Sequence, residues 1–372
     1  MDLTETETHR LLRDQARAFL GVRYPPERVA GIADGKGFPP DEWRSIVELG
    51  WTSISVPETS GGAGLGLPEE AVLAEELGRV VFPGPFLSTV VMALPALAAD
   101  PDLQRAVTSG RSIATLAWAG PDGAFRTDRF PIGVGKGTDL HHLYGSTWFV
   151  PDLAIADLAV VTGRGPRGPG VWAVRLEGDS VSRQPLPTVD GTRRMGALFL
   201  EGAEGRLLAE GDEAVCLLGR IRERTLAVLS MEGVGVASAA LELAVAHART
   251  RVQFGRPIGA FQAVSQQLAS AYADLEGARS LALWAAAAVA AGEQDAPRAA
   301  AAAKARSSEA AVGACERAIQ VLGGMGFTWE HPLHRLYRRA EWDRAFMGWP
   351  SELRASVAAS LLDDPEPQGW RR

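Results

Sequence analysis

The chain has 372 residues, of which 46% are hydrophobic and 22% are charged, and its formal net charge is −7. These values are typical of a soluble globular protein, and two or three domains are expected because one hydrophobic core rarely grows beyond about 250 to 300 residues. An acidic chain without a block of Lys or Arg lacks the electrostatic footprint of nucleic-acid binding, so that function is excluded.

The first third of the chain has the periodicity of amphipathic helices, from Thr4 to about Val107. In LLRDQARAFL the apolar residues recur at helical spacings, and EEAVLAEELGRVV resumes this pattern after a loop rich in Gly and Pro. The sequence therefore predicts an N-terminal helical domain over residues 1–110.

The middle of the chain, from about Arg111 to Glu210, consists of short apolar runs separated by Gly, Pro and Asp. The runs SIATLAWAG, IADLAVVTG, GVWAVRL and ALFLEG have the length and spacing of strands in a small β domain. This pattern predicts a β-sandwich or barrel over residues 111–211.

Helical periodicity returns at Asp212. The segment AGEQDAP, from Ala291 to Pro297, separates two long Ala-rich stretches and is interpreted as the turn between antiparallel helices. We predict a C-terminal four-helix bundle over residues 212–364 and a frayed tail over residues 365–372. The fold class is therefore α+β, multidomain and mainly α.

The cysteines argue against a disulfide-stabilised or metal-binding protein, and the N-terminus argues against a secreted or membrane-spanning one. Cys216 and Cys315 are too few for a disulfide framework and lack the spacing of metal ligands, so no metal is predicted and both are expected to lie in the core. The N-terminal stretch is polar, and no apolar run reaches about 18 residues without charges. We predict a cytoplasmic protein that does not bind membranes.

Three motifs suggest a function. The first, R-x-x-F-G-x-x-I-x-x-F-Q, runs from Arg251 to Gln262, and the second, Q-x-x-G-G-x-G-F, runs from Gln320 to Phe327. The third, GWTSISVPETSGGAGLGLPEE, lies in the N-terminal domain. A guanidinium fork and a glycine-rich turn with free backbone N–H groups suit a pyrophosphate, so the first two motifs together indicate a dinucleotide.

Each of these features also has a simpler interpretation. Taken alone, Arg251 would be a surface ion-pair residue, and a GGxG sequence would be a helix C-cap followed by a turn. The apolar residues Phe254, Phe261 and Leu268 are expected to pack in the core whatever the function.

With these motifs the sequence resembles the acyl-CoA dehydrogenase family over nearly its whole length. The resemblance implies α,β-dehydrogenation of an acyl-CoA in fatty acid or steroid catabolism, with electrons passing to an electron-transfer flavoprotein. It also implies FAD at a subunit interface, where each subunit holds the ADP half of its neighbour's cofactor. The contacts carried over to FAD are Arg251, Phe254, Gln262, Gln320, Gly323 and Gly324.

The sequence departs from the family at the catalytic base. Most members place a Glu immediately before a Gly in the loop after the second motif, and a minority place the base one residue after the Arg of the first motif. These positions hold Met347 and Val252, and neither side chain can accept a proton. Glu232 and Glu341 are the candidate substitutes.

Two further carboxylates lie near Met347 in the sequence. Asp343 and Glu352 are better explained, like Glu341, as exposed charges or helix caps. Glu232 differs because apolar residues flank it, which predicts partial burial.

The positions that face the flavin ring in the family have changed as well. A loop whose hydroxyl and backbone groups meet the ring corresponds to the segment from Trp118 to Gly123, and a later W-I-T element corresponds to Phe149–Pro151. After Gly348, the bulky Trp349 and rigid Pro350 stand where the family is small and polar.

Three hypotheses remain open. The leading one is a non-catalytic subunit that completes the FAD site of a heteromeric acyl-CoA dehydrogenase, a heterotetramer whose homologous partner carries the Glu. The second is a homo-oligomeric dehydrogenase with Glu232 or Glu341 as an unusual base. The third is a flavin-free scaffold protein that binds an acyl-CoA thioester.

Overall fold

The computed structural model describes residues 5–35, 37–135 and 141–362. The predicted frayed tail, residues 365–372, lies outside the described residues. The order of helices, strands and helices that the sequence predicted is confirmed.

Eleven α-helices are described, and several follow the predicted segments closely. Their bounds are α1 Glu7–Arg23, α2 Pro26–Ala33, α3 Pro40–Glu48, α4 Leu67–Arg79, α5 Leu94–Leu97, α6 Pro101–Thr108, α7 Asp212–Thr250, α8 Gln262–Ala291, α9 Ala296–Leu322, α10 Leu333–Ala345 and α11 Pro350–Leu362. Short 3-10 helices span Trp51–Ser53, Glu58–Ser60, Ile258–Ala260 and Gly323–Phe327, and a π-helical segment, Leu87–Ala93, leads into α5.

Nine strands are described, and the first seven belong to one sheet. Their bounds are β1 Ala114–Ala117, β2 Ile132–Gly135, β3 His141–Pro151, β4 Leu158–Gly165, β5 Gly168–Arg175, β6 Val181–Leu186, β7 Met195–Glu210, β8 Val252–Gln253 and β9 Arg256–Pro257.

The chain divides into two compact units, one of which contains the sheet. This unit comprises Glu27–Gly66 and Pro83–Thr225. β5 pairs with both β4 and β7, and β7 continues through β3 and β2 back to β4, so the sheet closes into a barrel rather than a sandwich. Its core contains Trp172, Leu143 and Leu198, each fully buried. The structure thus decides between the two predicted β architectures.

The other unit, within Met1–Pro26, Leu67–Phe82 and Leu226–Arg372, is helical. α8 packs along α9, α10 and α11 pack on α9, and α1 packs on α4. The turn predicted from Ala291 to Pro297 is confirmed, since α8 ends at Ala291 and α9 begins at Ala296. The three-domain division predicted from the sequence stays a prediction.

Helix α1 forms where the sequence predicted it. Thr6 caps the helix, because its hydroxyl accepts from the His9 amide at 3.2 Å while its own amide donates to His9 Nδ1 at 3.4 Å. The buried face contains Ala16 and Leu20, whereas Leu11, which the periodicity placed on that face, is 56% exposed.

Two glycines allow α4 and α7 to approach closely. A Cβ at Gly78 would lie 2.2 Å from the Glu232 carbonyl oxygen, and a Cβ at Gly235 would lie 2.0 Å from the Glu75 carbonyl oxygen. No side chain fits at either contact, so glycine is required at both positions. Near this contact, Glu75 of α4 and Glu232 of α7 are both buried.

Helix α7 is the one described helix that is long and apolar enough to cross a membrane. Its most apolar window has a mean hydropathy of 1.5, and 78% of that window is buried inside the protein. Such burial is typical of a core helix. The predicted cytoplasmic location stays a prediction.

Two predictions about burial are wrong in part. Cys315 lies in the core, but Cys216 is exposed on the first turns of α7. Phe254 was expected in the core and is 92% exposed, while Phe261 and Leu268 are only half-buried. Phe254 is exposed because it lies in the turn of the hairpin that β8 and β9 form.

Candidate functional site

The first motif forms a short hairpin directly after α7. Val252 pairs with Pro257, and Gln253 pairs with Arg256, which leaves Phe254 and Gly255 as the two residues of the turn. Both have positive φ, 51° and 80°, as a type I′ hairpin turn requires. The turn therefore directs the Phe254 side chain into solvent, against its hydrophobicity.

The base of the hairpin is fixed to the start of α8. The Arg256 guanidinium lies 4.1 Å from the centre of the Phe261 ring, and the Phe254 ring meets Phe261 edge-on at 6.0 Å. Arg251 and Gln262, the two polar members of the motif, are both exposed in the single chain. The hairpin thus presents a cation, an amide and an aromatic ring outward.

The second motif ends α9 and forms the 3-10 turn Gly323–Phe327. Gly323 has a φ of +63°, and its amide donates to the Ile319 carbonyl, so it is the C-cap of α9 that the simpler interpretation described. Gly326 is buried, and a Cβ there would lie 3.1 Å from the Ile319 backbone. Gln320 and Gly324 remain exposed.

The residues present fit the ADP half of a dinucleotide. Arg251 supplies a permanent charge, and Gln262 and Gln320 supply neutral amides. No other atom lies within 4 Å of the position that a Cβ would take at Gly323 or Gly324, so a ligand has open access to this backbone. The Gly323 amide already donates to Ile319 and the Thr328 amide to Met325, so the exposed Gly324 is the candidate donor in this turn.

Both motifs expose large apolar side chains. In the single chain Phe254 is 92%, Phe327 79%, Trp329 56% and Met325 47% exposed. Exposed apolar side chains in such number mark an interaction surface. The motifs are therefore suited to contact a second chain or its cofactor.

Met347, which the resemblance predicts to stand at the position of the base, lies between α10 and α11. It is 3% exposed and has a φ of +61°, in the left-handed region that is unfavourable for a residue with a side chain. Val252, at the alternative position, lies on the hairpin and is 53% exposed. Neither position offers a proton acceptor.

Glu232 lies in α7 and is buried, as its apolar flanks predicted. Its carboxylate forms an ion pair with the Arg339 guanidinium of α10, which is fully buried and also donates to the Phe82 carbonyl at 3.1 Å. This carboxylate is therefore part of a buried structural ion pair. The geometry does not favour Glu232 as a base.

The other candidate carboxylates also have structural partners. Glu341 pairs with Arg344 at 2.7 Å, one turn along α10, and hydrogen bonds to Tyr337. Glu352 accepts from the Trp349 amide at 3.0 Å and so helps to cap α11. Asp343 is buried in α10, not exposed as the sequence suggested.

The β unit carries the segments that correspond to the family's ring-facing loops. Trp118 is buried and donates from Nε1 to the Arg126 carbonyl at 2.7 Å. Phe149 lies in an irregular part of β3 with a φ of 54°, and a Cβ at Gly123 would lie 3.5 Å from its ring. The nearby hydroxyl of Thr147 is buried and donates to the Ala119 carbonyl at 2.9 Å. These groups are already satisfied within the chain.

The helical unit contains a buried ion network that the sequence did not predict. Glu75 of α4 is 2% exposed and receives hydrogen bonds from Arg13 of α1 and Arg279 of α8. Burial alone would raise the pKa of Glu75, but the charges and hydrogen bonds of Arg279 and Arg13 outweigh it, so the pKa lies below its ordinary value of 4.5. This network holds three helices together.

The network predicts a pH dependence of stability. Because the pKa of Glu75 is lower in the folded state than in the unfolded state, the stabilisation is complete above about pH 4.5 and is lost as the pH falls through the folded value. Urea unfolding at a series of pH values should show a smaller acid-induced loss in Glu75→Gln than in the wild type. As a control, Asp41→Asn removes a carboxylate that is 80% exposed and should leave the pH slope nearly unchanged. Equal slopes in Glu75→Gln and the wild type would contradict the assignment.

Comparison with known proteins places the chain in a family. The model "Acyl-CoA dehydrogenase, N-terminal domain" matches residues 6–104, and "Acyl-CoA dehydrogenase, C-terminal domain" matches residues 222–362. The acyl-CoA dehydrogenase IpdE2 of Mycobacterium tuberculosis is 31% identical over 366 residues, which cover 98% of this chain and 100% of that relative.

Two solved structures extend the likeness to the fold. The ChsE4-ChsE5 complex from Mycobacterium tuberculosis gives a TM-score of 0.88 at 29% identity, covering 98% of this chain and 100% of that chain. The Tcur3481-Tcur3483 steroid ACAD gives a TM-score of 0.86 at 28% identity, covering 97% of this chain and 99% of that chain. The protein described here therefore belongs to the acyl-CoA dehydrogenase family, whose members are flavoprotein oxidoreductases acting on CH–CH donors.

Proposed function

We propose that this chain completes the FAD site of a heteromeric acyl-CoA dehydrogenase and that a homologous subunit supplies the catalytic Glu. The complex would carry out α,β-dehydrogenation of an acyl-CoA thioester and pass electrons to an electron-transfer flavoprotein. One observation carries the proposal: the base position holds a buried Met347, while the motif residues that face a neighbour are exposed.

The missing base is the first support. Removal of a proton from carbon needs a proton acceptor within hydrogen-bonding reach, and Met347 and Val252 cannot serve. Glu232 is committed to Arg339, and Glu341 is committed to Arg344 and Tyr337. A carboxylate from another polypeptide is the simplest remaining source.

The exposed motifs are the second support. Arg251, Gln262 and Gln320 point polar groups outward, and Phe254 and Phe327 expose rings that a monomer would bury. In the proposed complex Arg251 would hold the diphosphate of FAD by a bidentate, charge-assisted contact. FAD supplies the acceptor for the β-hydrogen as hydride, and the contribution of this chain is to bind and orient it.

Two relatives support the heteromer. The ChsE4-ChsE5 and Tcur3481-Tcur3483 structures are each named for two chains, and the second is named a steroid ACAD. By analogy with these relatives, we infer a bulky acyl group such as a steroid side chain as a candidate substrate. The homo-oligomeric enzyme and the flavin-free scaffold are weaker alternatives, because no observation of the described residues favours them.

Flavin content after purification tests the proposal. The chain produced alone should contain little FAD, whereas the chain co-produced with a Glu-bearing homologue should give a complex with visible flavin absorbance and dehydrogenase turnover. Stoichiometric FAD and turnover from this chain alone would reject the proposal. A preparation that stays colourless with every partner but binds an acyl-CoA thioester would favour the scaffold.

A further inference from the structure

Lys304 is a fully buried cation in the middle of α9. Its ammonium donates to the Ser308 hydroxyl at 3.1 Å and to the backbone carbonyl of Asp343 in the last turn of α10. No part of the proposed function uses this side chain. A buried lysine needs partners that offset its desolvation, and here one of those partners is a main-chain oxygen.

The Asp343 carbonyl oxygen lies in the last turn of α10, where the helix ends. If α10 continued, the Asp343 carbonyl would accept from the amide of Met347, four residues later. Instead α10 ends at Ala345, and Met347 has a φ of +61°, which no helix continues. Lys304 therefore takes the acceptor that the Met347 amide would otherwise use. A cation at the C-terminal end of a helix is also favoured by the helix dipole.

Charged groups of both signs lie near Lys304. Asp343 and Arg339 of α10 and Glu232 of α7 are all buried, and with Lys304 they comprise two cations and two anions. Arg339 pairs with Glu232, and the electrostatic partners of Lys304 are Asp343 and Glu232. The set is neutral, which makes the burial of four charged groups tolerable.

We propose that Lys304 is a positioning residue that ends α10 and fixes the turn Phe346–Trp349. Phe346 stacks on Trp342 at 4.4 Å, and the Trp349 ring lies 5.4 Å from the Arg344 guanidinium and is 45% exposed. The turn contains the customary position of the base, so its conformation decides what this chain presents there. The inference goes beyond the proposed function and does not depend on a partner or a cofactor.

The protonation state of Lys304 should also affect the conformation of the turn. Burial lowers the pKa of Lys304 to about 8, against the raising effects of Asp343 and Glu232. The ammonium form is present below this pH, and the hydrogen bond to the Asp343 carbonyl weakens as the pH rises through it. Lys304 should make overall stability rise, not fall, as the pH rises through about 8, because the unfolded lysine keeps its proton to higher pH than the folded one.

Hydrogen exchange of the full-length chain tests the inference. Lys304→Met removes the donor at similar volume, and we expect the amides of 346–349 to exchange about 10-fold faster, with α1 unchanged. In the wild type, protection of these amides, corrected for intrinsic exchange rates, should fall as the pH rises through about 8. Lys304→Met should show no such fall. Ser308→Ala, which removes the other hydrogen-bond partner, should retain both the protection and its pH dependence.

Two outcomes would overturn the inference. One is a folded Lys304→Met protein in which the amides of 346–349 keep wild-type protection. The other is a wild-type protein in which protection of these amides does not change as the pH rises through about 8. This second measurement tests the inference even if Lys304→Met fails to fold. Neither measurement involves flavin, so a failure here is distinguishable from a failure of the proposed function.

Discussion

Replacing Arg251 by alanine should weaken binding of FAD to the proposed complex by about 30-fold or more. The expected size follows from the loss of a charged, hydrogen-bonded partner of a diphosphate, which costs about 2–5 kcal/mol. Because Arg251 is exposed in the single chain, the substitution should leave the melting temperature of the isolated chain nearly unchanged. FAD titration of the apo-complex, followed by flavin fluorescence, measures the effect.

Two variants make this test specific. Arg249→Ala removes an exposed cation two residues earlier, on the last turn of α7, and should bind FAD almost as the wild type does. Arg251→Lys keeps the charge but loses the planar fork, and its affinity should lie between those of wild type and Arg251→Ala. Equal affinity of Arg251→Ala and wild type would remove Arg251 from the cofactor site.

Local patterns were sufficient to predict most of the fold. The periodicity of LLRDQARAFL, the turn AGEQDAP and the short runs of the middle domain each correspond to a described element, because helix and strand formation depend on neighbours in the sequence. The choice between sandwich and barrel could not be made. It depends on the pairing of β4 with β5 and of β5 with β7, which joins distant segments.

Side-chain environments that depend on distant partners were not predictable. Glu232 and Arg339 are 107 positions apart, and Glu75 and Arg279 are 204 positions apart. Phe254 was misplaced for a different reason: hydrophobicity predicts burial, but backbone geometry at a type I′ turn determines where a side chain points. The motif was identified correctly while the environment of its central residue was not.

The low number of lysines could have identified Lys304 as an unusual residue. The chain has only three lysines, Lys36, Lys136 and Lys304, and its other basic side chains are mostly Arg. Lys304 lies within the Ala-rich helix α9. Its ammonium is fully buried and contacts Ser308 and the Asp343 carbonyl, an environment that the sequence did not predict.

Glu232→Gln should destabilise the protein without removing a catalytic group. The substitution leaves the Arg339 guanidinium buried without its carboxylate, and breaking such a pair costs about 3–5 kcal/mol. Urea unfolding should therefore show a large drop in the free energy of unfolding. The double variant Glu232→Met with Arg339→Met replaces the pair by apolar side chains of similar volume and should recover most of that loss.

The same variants decide whether Glu232 is a base. If it only pairs with Arg339, the rate of flavin reduction by acyl-CoA, per folded complex, should be the same in Glu232→Gln and wild type. Glu341→Gln is the matched control: its carboxylate is partly exposed, so stability should change by less than about 1 kcal/mol and flavin reduction should not change. A Glu232→Gln protein that is as stable as wild type but no longer reduces flavin would establish Glu232 as the base. The borrowed carboxylate would then be unnecessary, because this chain would carry its own.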